Sequence, residues 1–325
     1  MTGTGRPLSE GSISLRLYPH AGLPAEEMVC ELRHQAVLAA RAGFDGVMTS
    51  EHHGGFAGYM PNPVQLAGWL LEAMPAGWAA PCPVLVTLRP PALVTEEVAW
   101  LAARFPGRVG LGLAAGSLDA DFEVVGLTKD GLTLRFTAAL TQVAGALGGT
   151  EPGLLAEDPA VARCVTHPVP VVSAAMSAAA ARRAAGLGVG LLFDSLSTPA
   201  RIRALVDAYH DAGGDRPCVL VRRVWMGSPP VAEFKRQVDR YRSYASPRAQ
   251  AHWQAEQLVA ADDGAGLARE LAAVSVAAGV DALNLRIHVP GVSPAAARQQ
   301  IAALGDVVTT LEGWKRAQTS RTLSP

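Results

Sequence analysis

The sequence predicts a single (β/α)8 barrel of the TIM type, and three observations lead there. Eight short runs, apolar on both faces, alternate with Ala-rich stretches of helical period, the pattern of a parallel sheet closed into a barrel and wrapped by helices. The first strand-to-helix connection, Pro19 to Ala25, lacks the glycine fingerprint of an open dinucleotide-binding sheet, and Gly110, Gly112 and Gly116 stand at the wrong spacing for it. An ionisable cluster, Glu51-His52-His53, follows the second run without a gap, where barrel enzymes carry their reactive groups.

In order, Ile13 to Tyr18 reads as the first strand and Glu26 to Ala42 as an amphipathic helix. Gly43 closes that helix in a left-handed cap, and Phe44 to Thr49 forms the second strand. A helix from Pro63 to Met74 leads to a third strand at Val84 to Thr87, and a helix from Leu93 to Phe105 to a fourth at Arg108 to Leu113. The helix Leu132 to Leu147 precedes the strand Val169 to Ser173, and Ser177 to Ala185 precedes Val189 to Phe193. Pro199 to Ala212 precedes Cys218 to Trp225, helices lie between Val231 and Ala278, and the strand Ala282 to Ile287 is followed by a closing helix from Pro294 to Leu311. Residues 1–12 read as a flexible lead, 13–312 as the barrel, and 313–325 as a tail that is loose from Thr319 to Pro325. No repeat period recurs, and alanine runs such as Ala178 to Ala181 are ordinary helix formers.

With 49% hydrophobic and 18% charged residues the chain can bury a large core, which argues against extensive disorder. A formal charge of -1 lacks the positive field that nonspecific phosphate-backbone binding needs, so nucleic acid is not an expected partner. Cys30, Cys82, Cys164 and Cys218 are far apart and form neither a CxxC pair nor a disulfide framework, which fits reduced thiols in a cytoplasm. Met1 to Ser12 has no apolar signal core and no later run reaches membrane-spanning length, so no membrane association is expected.

Three stretches carry the candidate chemistry. The first is Glu51-His52-His53 with the loop Gly54 to Pro61; strand alternation would turn one histidine inward and the other outward, and a strand-end His serves as often in structure as in chemistry. No metal is expected, because the helical i, i+4 histidine spacing and a second His or Cys cluster are both lacking. The absence of GxSxG argues against a serine hydrolase. The second stretch, Gly112 to Gly126, is a loop whose glycines let backbone approach a ligand; Asp121 there is either an orienting carboxylate or a solvated cap. Arg135, at the start of the next helix, could reach an anion. The third is Val171 to Ser177, a strand entering a helix at Ser177, either a phosphate site on free amides or an ordinary N-cap. Arg222, Arg223, Arg286 and His288 add polar groups on or after barrel strands, of which alternation puts only some inside, and Cys82-Pro83 could set a restrained backbone against a ring.

The segments GFDGVMTSEHH, GLAAGSLDADFEVVG and VVSAAMSAAAARRAAGLGVG together resemble the bacterial luciferase-like monooxygenase family in order and spacing, over about residues 13 to 312. The resemblance implies a barrel that binds flavin mononucleotide at the carboxyl ends of its strands. His52 matches the first histidine of the family's EHH motif and is the implied catalytic group, supported by Asp121, which matches the Asp of the DF pair. Ser177 and Arg135 match phosphate contacts; the full set of expected cofactor contacts is Glu51, Cys82, Pro83, Ala114, Gly116, Arg135, Ser173 and Ser177. Ala114-Ala115 departs from the family, where luciferase has Cys-Arg, so one phosphate-binding arginine is missing and Arg135, Arg222, Arg223 or Arg286 is left to supply the charge.

The implied function is a monooxygenase that takes reduced flavin mononucleotide from a separate reductase and oxygenates a small organic substrate through a 4a-hydroperoxyflavin. The missing arginine keeps a deazaflavin-dependent oxidoreductase as the second reading, since such relatives have a similar loop. A noncatalytic flavin-binding protein ranks last, because it should lack His52. The resemblance also implies a homodimer through the outer faces of early helices.

Overall fold

The computed structural model describes residues 5–56, 58–245, 247–251, 253 and 257–314; the expected tail Thr319 to Pro325 lies outside them. Its strands are β1 (Ile13–Arg16), β2 (Gly46–Thr49), β3 (Trp78–Pro81), β4 (Val84–Leu85), β5 (Leu111–Ala114), β6 (Val171–Ala174), β7 (Gly190–Phe193), β8 (Cys218–Met226), β9 (Leu258–Ala261) and β10 (Ala282–Arg286). The helices are α1 (Ala25–Arg41), α2 (Pro63–Ala73), α3 (Pro91–Arg104), α4 (Asp119–Val124), α5 (Leu132–Leu147), α6 (Pro159–Arg163), α7 (Ala178–Gly186), α8 (Pro199–His210), α9 (Val231–Tyr244), α10 (Pro247–Gln250), α11 (Gly264–Ala278) and α12 (Pro294–Thr310). Every strand pairing is parallel, in the order β3-β2-β1-β10-β8-β7-β6-β5-β4, and a bridge between Ala79 and Val109 brings the two ends together. The result is a nearly closed parallel barrel, with the helix between each pair of strands lying outside.

The third barrel strand differs from the expected Val84 to Thr87. It is split, with β3 pairing to β2 and β4 pairing to β5, and the chain passes between them at the cis Cys82-Pro83 bond. Ala79, Ala80 and Pro81 are poor strand formers by composition, but burial on both faces overrides that preference. A second difference lies between Val231 and Ala278, where helices alone are expected: β9 sits between α10 and α11 and pairs with the upper half of β8, Arg223 to Met226. The short helix α4 occupies a stretch expected to be a loop, and α6 lies between the expected helix Leu132 to Leu147 and the expected strand Val169 to Ser173.

Alternation along each strand divides the core in two. Leu15, Val47, Leu111, Leu191, Leu220 and Leu283 point outward to the helices, whereas Met48, Trp78, Cys82, Val172, Leu192 and Val219 fill the barrel. Leu8 belongs to this inner group and is 2% exposed, closing the barrel floor; a Cβ on Gly110 would lie 3.0 Å from it. Leu8 thus differs from the expected flexible lead. Its backbone is left-handed (φ 57°), a cost of about 1–2 kcal/mol that burial of a leucine, about 1.5–3 kcal/mol, can offset. Gly43, at φ 91°, ends α1 and turns the chain into β2 as its position in the sequence requires.

Candidate active site

Beyond β2 the chain leaves the sheet with Ser50 and Glu51 both buried. Glu51 uses both carboxylate oxygens: Oε2 accepts the Leu85 backbone N–H at 2.7 Å and Oε1 lies 2.8 Å from His53 Nε2. It thereby ties the end of β2 to β4. This hydrogen bond holds the His53 imidazole above the usual histidine range, against an opposing effect of burial. The contribution to stability is therefore complete below the unfolded-state pKa and is lost as pH rises through the higher folded-state value. Unfolding midpoints of wild type and His53→Gln should differ most on the acid side of neutrality and converge as pH rises; a gap that widens with pH would refute this pairing.

His52 turns the other way. Its Nδ1–H donates to Asp121 Oδ2 at 2.7 Å, and the backbone N–H of His53 donates to Oδ1 of the same carboxylate at 2.7 Å. Asp121 is fully buried in the first turn of α4, anchored by the adjacent Phe122, which packs with Leu85 and Leu88. Gly116 permits this approach: it sits at φ 81°, and a Cβ there would lie 3.2 Å from the Phe122 ring. The imidazole is held edge-on to Tyr59 (4.4 Å between centroids) and tilted over Phe56 (4.7 Å). With Nδ1 committed to the carboxylate, Nε2 is the nitrogen free to exchange a proton.

The remaining expected contacts are spread around the barrel. Ser177 accepts the Ala180 N–H at 3.2 Å as the N-cap of α7, and beside it Arg201 donates to the Met176 carbonyl at 3.0 Å. Arg135 braces the loop before α5 by donating to the carbonyls of Asp130 and Thr128, while its Nε is buried with no partner among the described residues. Ser173 is in register with Leu113 and Leu191 of the outer core and follows inward-pointing Val172, so its side chain lies on the helix side of the sheet. Cys82 faces into the barrel against Gly112, and burial pushes its thiol up to about 11. Pro83 joins β3 to β4, and Ala114 at the end of β5 accepts from Val86 N–H at 3.2 Å. The structure brings together His52, Asp121 and Glu51; no hydrogen bond among the described residues joins Ser177 or Arg135 to them.

Sequence reasoning passed over Tyr18, His20, Tyr59 and Tyr241. Arg16 and Asn284 point into the barrel and bond each other at 2.6 Å, so Tyr18, Arg286 and His288 follow on the same face at spacings of two. Arg223 also turns inward, whereas Arg222 turns out toward Gln257. Arg286 lies 4.5 Å from the Tyr18 ring centroid and donates to Tyr241 Oη at 2.7 Å, and Tyr241 Oη is 2.9 Å from Tyr59 Oη. The alternating Arg16-Tyr18-His20 and Asn284-Arg286-His288 were the available signals; Tyr241, on α9, had none.

Residues 13–311 match the model of a family described as luciferase-like monooxygenases. The chain belongs to that family. Among solved structures, this luciferase-like chain is similar to the monooxygenase RslO1 of Streptomyces bottropensis, at 16% identity and a TM-score of 0.74 over 92% of this chain and 98% of that one. It is also similar to the oxygenating constituent of 3,6-diketocamphane monooxygenase of Pseudomonas putida in complex with FMN (17%, TM-score 0.69, 92% and 98% covered). An F420-dependent secondary alcohol dehydrogenase in complex with an F420-acetone adduct is matched to the same degree (17%, TM-score 0.69, 94% and 99% covered). At these identities the likeness is one of fold. No curated protein matches the sequence.

Proposed function

We propose that this luciferase-like protein is a flavin-dependent monooxygenase that receives reduced FMN from a separate reductase and uses dioxygen to oxygenate a small organic substrate. The observation that carries the reading is the His52–Asp121 pair just beyond the carboxyl end of β2, where barrel enzymes do their chemistry. The FMN complex of the diketocamphane enzyme, which shares the fold, supports the cofactor. The residues fit such a group: Arg135 Nε, buried without a partner among the described residues, and the first-turn amides of α7 at Ser177 suit a phosphate.

Bound reduced flavin would supply the electrons that activate dioxygen. Asp121 fixes the His52 tautomer, His52 Nε2 exchanges the proton at the reacting oxygen, and Phe56 and Tyr59 shield the imidazole from water. Burial keeps Cys82 a neutral thiol, so it shapes the pocket and does not act as a nucleophile. Ala115, where an arginine is missing, favours the second reading, hydride transfer with a deazaflavin coenzyme, as in the F420-dependent relative. We also place the protein in the cytoplasm as a homodimer through the outer face of α3, where Leu93 and Trp100 are half exposed; among the described residues no helix is long and apolar enough to cross a membrane.

The test is to titrate the purified chain with FMN and with a deazaflavin coenzyme, then to follow oxygen uptake after premixing with reduced FMN. FMN binding with oxygen uptake is expected. Binding of the deazaflavin alone, with no oxygen uptake, would replace this function by the second.

A further inference from the structure

The barrel mouth on the side of β8 and β10 holds two buried arginines that no carboxylate among the described residues pairs. Arg223 and Arg286 are register partners on those strands, only 1% and 4% exposed. Neither forms an ion pair with a carboxylate among the described residues. Acids that follow the carboxyl ends of other barrel strands are already engaged: Asp121 by His52 and His53, Glu51 by Leu85 and His53, and Asp194 by Leu196 and Ser197. Arg286 donates to the Tyr241 hydroxyl and lies over the rings of Tyr18 and Tyr241, with a long contact to the His288 carbonyl, and these tyrosines hold its charge firmly. Arg223 donates to Gln237 Oε1 at 2.9 Å, lies over the rings of Phe234 and Tyr241, and keeps a buried Nε without a partner among the described residues; burial and Arg286 lower its pKa to about 10.

His288 lies two residues past Arg286, stacked on Tyr18 at 5.4 Å, with both ring nitrogens buried and unpartnered among the described residues. Burial and the neighbouring His20 and Arg286 hold it well below the usual histidine range, so it is a neutral donor or acceptor. Buried charge and buried donors left in this state are strongly unfavourable unless a ligand completes them. The cluster is also close to the proposed chemistry, since Tyr59 touches both the His52 ring and, through its hydroxyl, Tyr241.

We propose that Arg223 and Arg286 receive a carboxylate, so that the substrate is a small organic acid whose apolar body lies against Tyr18, Tyr59 and Phe56. Two guanidinium groups presented side by side suit a planar two-oxygen anion. Its role as substrate rests on the function proposed above, but the anion site can be tested without flavin.

Benzoate and benzamide have nearly the same shape and differ in charge, so they serve as probes by calorimetry on the flavin-free full-length chain. Benzoate should bind about tenfold or more tightly than benzamide, and Arg286→Gln should remove that preference while leaving benzamide binding unchanged. Without ligand, Arg223→Gln should unfold at a temperature no lower than wild type, because it removes a charge that burial and the neighbouring Arg286 disfavour, whereas a merely structural arginine would lower the midpoint. Equal binding of the two probes to wild type, absence of benzoate binding at millimolar concentration, or full benzoate affinity in Arg286→Gln would each overturn the inference. If that variant does not fold, the wild-type comparison alone decides. FMN binding is measured on the same preparation: FMN binding without a benzoate preference sinks only the anion site, and a benzoate preference without FMN binding sinks only the flavin reading.

Discussion

His52→Ala is expected to leave the barrel folded and flavin bound, yet to lower product formation by roughly a hundredfold or more, the usual cost of losing a general acid or base. The side chain is 15% exposed and makes one side-chain hydrogen bond, to Asp121, so its removal does not open the core. The loss should appear in turnover more than in affinity. Asp121→Ala should approach the same rate, since His52 then loses the acceptor that fixes its tautomer, and the double variant should be little worse than either single one because the two act as a unit. Asp121→Ala should also cost stability, since the backbone N–H of His53 loses its acceptor. His53→Ala should act through stability, because its partner is Glu51 and not the pocket. Enzyme premixed anaerobically with reduced flavin and then exposed to oxygen keeps reductant supply from limiting the measurement. Near-normal turnover of His52→Ala in that assay would reject the catalytic role even if the flavin site stands.

The largest loss of stability is expected from Gly46→Ala. A Cβ at this position would collide with the Cδ2, Cε2 and Cε3 atoms of the Trp78 indole, which is 1% exposed and in direct register with Gly46 across β2 and β3. Neither partner can give way cheaply, because Trp78 is packed within the barrel with Leu8 and Met48 and both residues belong to paired strands. Overpacking commonly costs about 1–3 kcal/mol, and so deep an overlap should reach about 3 kcal/mol or more. Gly186→Ala is the control: it lies at the end of α7 with nothing within 4 Å of the added Cβ, and there alanine should be neutral or stabilising by up to about 1 kcal/mol. Denaturant midpoints decide, and a Gly46→Ala variant within about 0.5 kcal/mol of wild type would show that Trp78 can move aside.

Local pattern made most of the helices and strands legible, since a helical or alternating period is written in neighbouring residues. α5 runs over Leu132–Leu147 as expected, and Gly43 ends α1 where its missing side chain allows a positive φ. The misses are places where a partner distant in sequence overrides local preference. Trp78–Pro81 is a strand because β2 pairs with it, and Leu258–Ala261 is a strand because the long β8 offers it an edge. The cluster Glu51-His52-His53 could be found as chemistry after a strand. The division of labour within it could not, because it depends on Leu85 and Asp121.

The sequence by itself determined the barrel class and the placing of ionisable groups after its strands, and through family resemblance it singled out His52 and Asp121. Only the tertiary structure decided which neighbour turns inward: Arg223 to the barrel and Arg222 to the helices, His52 to Asp121 and His53 to Glu51. Alternation says that adjacent side chains diverge, but which of the two directions is the interior is set by how strands register and close around one another. The same closure gathers Tyr18, Tyr59, Tyr241 and Arg286 from four distant segments into one buried cluster, a contact that no short-range period encodes.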